Sequence, residues 1–123
     1  MADRLVTEES NRLISSEKVD GTAVYDRDGE RLGSVKSFMV DKRSGKAEYA
    51  VLQFGGLFGI GSDYYPIPWD MLAYDVDRGG YVVDIDKKKL EGAPRYATGE
   101  EQGYDDVYGR EVYGYWGVTA PFI

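Results

Sequence analysis

The chain has 123 residues, 42% hydrophobic and 14% aromatic, with 15 basic against 22 acidic side chains and a net charge of −7. That length holds one cored domain with tails, and the negative field repels phosphate backbones and anionic lipids, so no direct DNA contact is expected and RNA is disfavoured. Cysteine and histidine are both absent, which removes disulfides, thiolate nucleophiles, Ser-His-Asp triads and imidazole metal sites.

Residues 1–12 are polar and are expected to form an arm. They lack a basic stretch followed by an apolar core, and no apolar run approaches the length of a membrane span; a cytoplasmic protein without a spanning segment is the expectation. From Leu13 onward, short apolar runs alternate with turn signals, and the 16 glycines favour many turns.

Thr22 to Tyr25 reads as a strand, and Asp28-Gly29 as the hairpin turn after it, since glycine accepts a positive φ. Arg31 to Asp41 is the next strand. Val35 and Phe38 differ in parity there, and a bulge near Ser37 would return them to one face. Lys42 to Gly45 forms a second turn. Lys46 to Phe54 then alternates in its first half, with Lys46 and Glu48 outward and Ala47, Tyr49 and Val51 inward, and adds Leu52 and Phe54 on the other face, so that end of the strand is expected to be buried on both sides.

Gly55 to Gly61 is a glycine-rich loop carrying Leu57, Phe58 and Ile60. It lacks the lysine and the following helix of a phosphate-cradling loop. Apolar side chains on such a tip point to a partner or to self-association. In Tyr64 to Trp69, Pro66 and Pro68 withhold N–H donors on the same side, which places the strand at an edge or a barrel seam. Tyr81 to Ile85 is a further strand, and Lys87 to Glu91 is expected to form one helical turn stopped by Gly92-Ala93-Pro94, with its lysines a solvated face.

Beyond Pro94, Tyr96, Tyr104, Tyr108, Tyr113, Tyr115 and Trp116 are spread among glycines and acids, so residues 95–123 read as a tail. Ordering a residue costs roughly 1–2 kcal/mol, and burying an aromatic returns at most ~4–6 kcal/mol, so with one aromatic in about four the two terms cancel. Such a tail is ordered where it docks, on its own body or on a second copy, for example along the exposed edge near Pro66.

The ordered series Val19-Asp20-Gly21, Val24-Tyr25-Asp26, Asp28 to Val35, Val40 to Lys46, Val51 to Gly56 and Ile67-Pro68-Trp69 resembles the PRC-barrel domain over about residues 13–94. The resemblance implies an all-β fold, a small barrel of about six antiparallel strands with a short helical turn and an extended C-terminal tail. It also implies a free-standing bacterial domain with no catalytic motif, similar to the cytoplasmic barrel of the photosynthetic reaction-centre H subunit and to the C-terminal domain of the ribosome maturation factor.

Asp26 to Glu30 is too short for a calcium loop, and no paired catalytic constellation stands out, so neither metal, cofactor nor enzymatic activity is expected. The expected function is a protein-protein interaction and assembly module, self-associating as a homodimer. Its contacts are assigned to Leu57, Phe58, Ile60, Tyr108, Tyr113, Tyr115 and Trp116. The alternative, carried by the resemblance alone, is a ribosome- or RNA-processing-associated factor.

Overall fold

A computed structural model describes residues 12–54 and 63–119. Its strands are β1 (Ala23–Tyr25), β2 (Arg31–Val40), β3 (Ala47–Phe54), β4 (Asp63–Pro68), β5 (Ala73–Asp75), β6 (Gly80–Val82) and β7 (Tyr96–Ala97). The helices are α1 (Ser16–Val19), α2 (Lys87–Glu91) and α3 (Asp106–Trp116), with a 3-10 turn at Trp69–Met71.

The strands form one seven-stranded sheet in the order β5-β6-β1-β2-β3-β4-β7, in which β1 and β6 run parallel and every other pair is antiparallel. This corrects the expectation of a barrel of about six antiparallel strands: the sheet is open and mixed, and a seventh strand comes from the tail. The parallel pair arises because β5 and β6 return to the far side of β1 after the β4 crossing. Five strand spacings of about 4.8 Å separate β4 from β5 along a flat sheet, roughly 24 Å, yet the chain from Pro68 to Ala73 reaches at most about 18 Å. The sheet is therefore curled. Trp69, on the connecting turn, bridges the curl, with ring centroids 5.7 Å from Phe38 on β2 and 5.7 Å from Tyr81 on β6.

Three turns share one device. Asp26 Oδ1 accepts the N–H groups of Asp28 and Glu30, each at 2.9 Å, and Asp41 Oδ1 accepts those of Arg43 at 2.8 Å and Ser44 at 2.9 Å. Asp75 Oδ1 accepts those of Asp77 at 3.0 Å and Arg78 at 3.3 Å. A short carboxylate satisfying the backbone of its own turn is the Asx logic. Asp26, rather than Asp28 alone, organises the first turn, and Gly29 supplies the positive φ of 89°.

The bulge in β2 lies between Val35 and Ser37, and both Val35 and Phe38 pack on the core. Gly33 sits where a Cβ would fall on the Gln53 carbonyl oxygen and 2.7 Å from Phe54 Cα, so β2 and β3 approach there only because the residue has no side chain. On β3, Tyr49, Ala50, Val51 and Leu52 are all buried, as a strand covered on both faces requires. The faces are reversed from the expectation, however. Ala50 and Leu52 pair with Ile67 and Tyr65, and Ala50 also with Phe38, on the inner face that Trp69 closes, whereas Tyr49 and Val51 pair with Pro68 and Pro66 on the outer face.

The outer face is covered by the tail, which is not extended. β7 pairs Ala97 with Asp63 and Tyr96 with Tyr64, and α3 then carries Gly109, Val112, Tyr113 and Trp116 as its buried side. Past Tyr64 no strand covers the outer edge of β4 among the described residues, so Pro66 and Pro68 do lie along a strand edge. The fold is thus β-rich with helices, rather than all-β. Its physical reason is the i, i+3, i+4, i+7 spacing of the four buried α3 positions, with Asp105 as N-cap and Gly117 in the left-handed conformation at the C-terminus. The helical turn expected at Lys87 is α2, capped by Asp86 Oδ1 accepting Lys88 N–H at 2.9 Å.

Candidate protein-interaction surface

The tail is fixed to the sheet by a chain of tyrosines. Tyr49 on β3 packs edge-on against Tyr104 at 5.1 Å and Tyr113 at 5.5 Å between ring centroids. Tyr104 packs against Tyr108 at 5.4 Å, and its hydroxyl lies 2.8 Å from that of Tyr96, whose ring meets Tyr64 at 5.7 Å. Edge-to-face pairs of this kind contribute roughly 0.5–1.5 kcal/mol each beyond their burial. Burial holds the phenol of Tyr104 far above its ordinary value, and it pushes Tyr49 up to about 12.

A second clasp joins the two C-terminal helices. Lys89 Nζ stands 5.3 Å from the Tyr115 ring centroid and 5.9 Å from that of Trp116, and the Tyr115 hydroxyl donates to the Lys89 carbonyl oxygen. A cation over two aromatic faces is attracted by both. The basic run is therefore not merely solvated, since one of its members holds α2 to α3.

Between the β2–β3 hairpin and the start of α3 these packings leave an open groove of about 330 Å³. Met39 and Val40 from the end of β2, Tyr49 from β3 and Tyr104 from the tail provide its apolar lining, and Met39 and Val40 remain 36% and 43% exposed. Among the described residues the rim is acidic: Asp41, Glu48, Asp105 and Asp106 border it with one cation, Lys42. Two of these carboxylates already serve the backbone. Asp41 holds the hairpin turn, and its bonds from Ser44 and Arg43 keep its carboxyl below the usual value, while Asp105 accepts Tyr108 N–H at 2.9 Å as the α3 cap. Glu48 differs. Desolvation raises its carboxyl above the usual value, and the charges of Asp41 and Asp106 raise it further.

The residues assigned to partner contact fall in several places. Leu57, Phe58 and Ile60 lie outside the described residues. Tyr113 and Trp116 are buried in the chain's own core, and Tyr108 and Tyr115 are half-buried beside it. The groove brings together none of these seven. Its residues escaped the sequence reading because Met39, Val40 and Glu48 sit some 55 positions or more before Tyr104 to Asp106, and only the docked helix joins them. The one signal that could have located it is the Asp105-Asp106 pair ahead of the 3.6-residue spacing of α3.

No group of three or more acidic residues suited to a metal ion occurs among the described residues, and no helix among them is long and apolar enough to cross a membrane. No curated protein matches the chain. The PRC-barrel domain family matches residues 12–90, well over half of the chain and the whole sheet except β7. With its β-rich body and the ordered series of turns found there, the chain belongs to the PRC-barrel domain family.

Proposed function

We propose that this chain is a non-catalytic, cytoplasmic interaction and assembly module that holds a protein partner, or a second copy of itself, against its outer surface. The observation that carries the reading is the groove: exposed Met39 and Val40 inside an acidic rim, where no large aromatic is exposed among the described residues. Exposed apolar surface framed by charge is the composition of a contact site. Membership of the PRC-barrel family supports it too, since such domains are in general small interaction modules.

Leu57, Phe58 and Ile60 are assigned to the self-association contact, as three apolar side chains set among glycines. Tyr108 and Tyr115, half-buried on α3, are assigned to partner contact outside the groove, whereas Tyr113 and Trp116 act indirectly by holding that helix in place. The tail belongs functionally with the sheet, because its Tyr104, Asp105 and Asp106 build one wall of the groove.

Sedimentation over a concentration series, on the wild-type chain and on Phe58→Asp, tests the self-association. A dimer that builds up with concentration in the wild type and is lost in the variant is expected. A monomer at every concentration in both would exclude the homodimer.

A further inference from the structure

We propose that the groove between the β2–β3 hairpin and the start of α3 docks an extended, lysine- or arginine-bearing segment of a partner protein. The cationic head would sit between Glu48 and Asp106, and the aliphatic residues beside it on Met39 and Val40. This deepens, and rests on, the reading of the chain as an interaction module.

The charge balance selects the partner's chemistry. Four carboxylates border the groove against one lysine, on a molecule whose net charge is already −7. Asp41 and Asp105 are engaged by backbone N–H groups of their own turn and helix cap. The carboxylates of Glu48 and Asp106 accept no hydrogen bond and form no ion pair among the described residues; burial raises the Glu48 carboxyl above its usual value, and repulsion from Asp41 and then from Asp106 raises it further. A cation placed between them removes that repulsion and gains a charge-assisted hydrogen bond.

The shape selects the rest. A groove of about 330 Å³ open to solvent is at the small end of ligand pockets, roughly 300–1,000 Å³, and does not enclose a small molecule. It suits side chains reaching in from a larger body. Lysine and arginine are also the residues whose long stems lie along apolar surface while their heads stay polar, which matches a floor of Met39, Val40, Tyr49 and Tyr104 beneath an acidic rim. Nucleic acid and anionic membrane are opposed by the same carboxylates.

The probe is a capped peptide of sequence Lys-Leu-Lys-Val-Lys, titrated into the isotope-labelled full chain at low and high salt, with Glu-Leu-Glu-Val-Glu as its charge-reversed control. The lysine peptide is expected to shift the amides of Met39, Val40, Glu48 and Asp106, to weaken as salt rises, and to lose about fivefold or more in affinity in the double variant Glu48→Gln, Asp106→Asn. Asp105 is left intact so that α3 keeps its cap, and unchanged peptide-free spectra elsewhere verify the fold of the variant.

Shifts confined to other surfaces, equal binding of the acidic peptide, or undiminished binding by the double variant would each overturn the proposal. So would spermidine matching the peptide in affinity and shift pattern, since that is attraction of cations without docking. A photoreactive residue at position 40, introduced in cells, separates the two levels: protein adducts there without peptide binding would retain the module and discard the cationic segment, and loss of both results would discard both.

Discussion

The hydroxyl of Tyr113 donates to the backbone carbonyl oxygen of Glu48 at 2.5 Å, joining the tail helix to the strand that also carries a rim carboxylate of the groove. One residue of the core thereby fixes one residue of the surface. The groove exists in its present shape because α3 is docked, and α3 is docked through Tyr113, Val112 and Trp116.

Removing that hydroxyl tests the coupling. Tyr113→Phe keeps the ring packing and deletes the bond, so it is expected to lower unfolding free energy by about 1 kcal/mol. Trp116→Ala empties a buried site and is expected to lower it by roughly 3–5 kcal/mol. Urea denaturation followed by far-ultraviolet circular dichroism measures both. Neutral effects in both would mean that the tail does not dock.

The helix is made by its site rather than by its own residues. Gly109 and Gly114 lie within α3, and glycine there costs about 1 kcal/mol each relative to alanine, while valine and the aromatics add little propensity. A peptide of residues 95–119 is therefore expected to show no helical circular dichroism in water. In the full chain, Gly114→Ala is expected to stabilise by roughly 0.5–1 kcal/mol, since the position is exposed and a Cβ there meets nothing within 4 Å.

Gly33→Ala should act in the opposite sense. Its Cβ meets the Gln53 carbonyl and Phe54 backbone, which cannot move without shifting β3. A loss of roughly 1–3 kcal/mol is expected from overpacking, read as a lower midpoint in the same denaturation assay.

The pH dependence follows from two kinds of carboxyl and from the tyrosines. Asp41 is held below 3.8 by its backbone bonds, so its stabilising contribution is present above that value and is lost as the pH falls through its lowered value. Glu48 is raised above 4.5, so the native state takes up its proton more readily, and stability falls as the pH rises through the raised value. Glu48→Gln is thus expected to be more stable than wild type at pH 7, with the difference vanishing below about pH 4. Tyr49, raised from 10.0 to about 12 mainly by burial, stabilises the fold fully below pH 10 and loses that contribution as the pH rises towards 12. Tyr104, Tyr108 and Tyr113 are raised in the same direction. Alkaline titration is expected to give a cooperative loss of structure beginning above pH 10, coincident with tyrosinate absorbance from this cluster; ionisation of the cluster without unfolding would contradict its burial.

Much of the body was legible because its signals are local. Asp28-Gly29, Ser44-Gly45, the Val35/Phe38 parity break and the paired prolines of β4 each report a turn, a bulge or an edge within a few residues. The helix was not, because tyrosine and glycine favour strand and turn, and only the spacing of Gly109, Val112, Tyr113 and Trp116 discloses a single buried stripe. The inward face of β3 was misjudged for a related reason: with apolar residues on both faces, alternation cannot say which one a helix from far along the chain will cover. The parallel pairing of β1 with β6 and the groove itself depend on contacts between distant segments and leave no local mark.

The central claim is that the chain works by binding protein at this surface, and photo-crosslinking in the native cell tests it most directly. A photoreactive residue at Val40 is predicted to give adducts to a protein of defined mass, diminished by Glu48→Gln with Asp106→Asn and absent when the probe is moved to exposed Val76 in the β5–β6 turn. No adduct at position 40, or the same adducts at position 76, would contradict it.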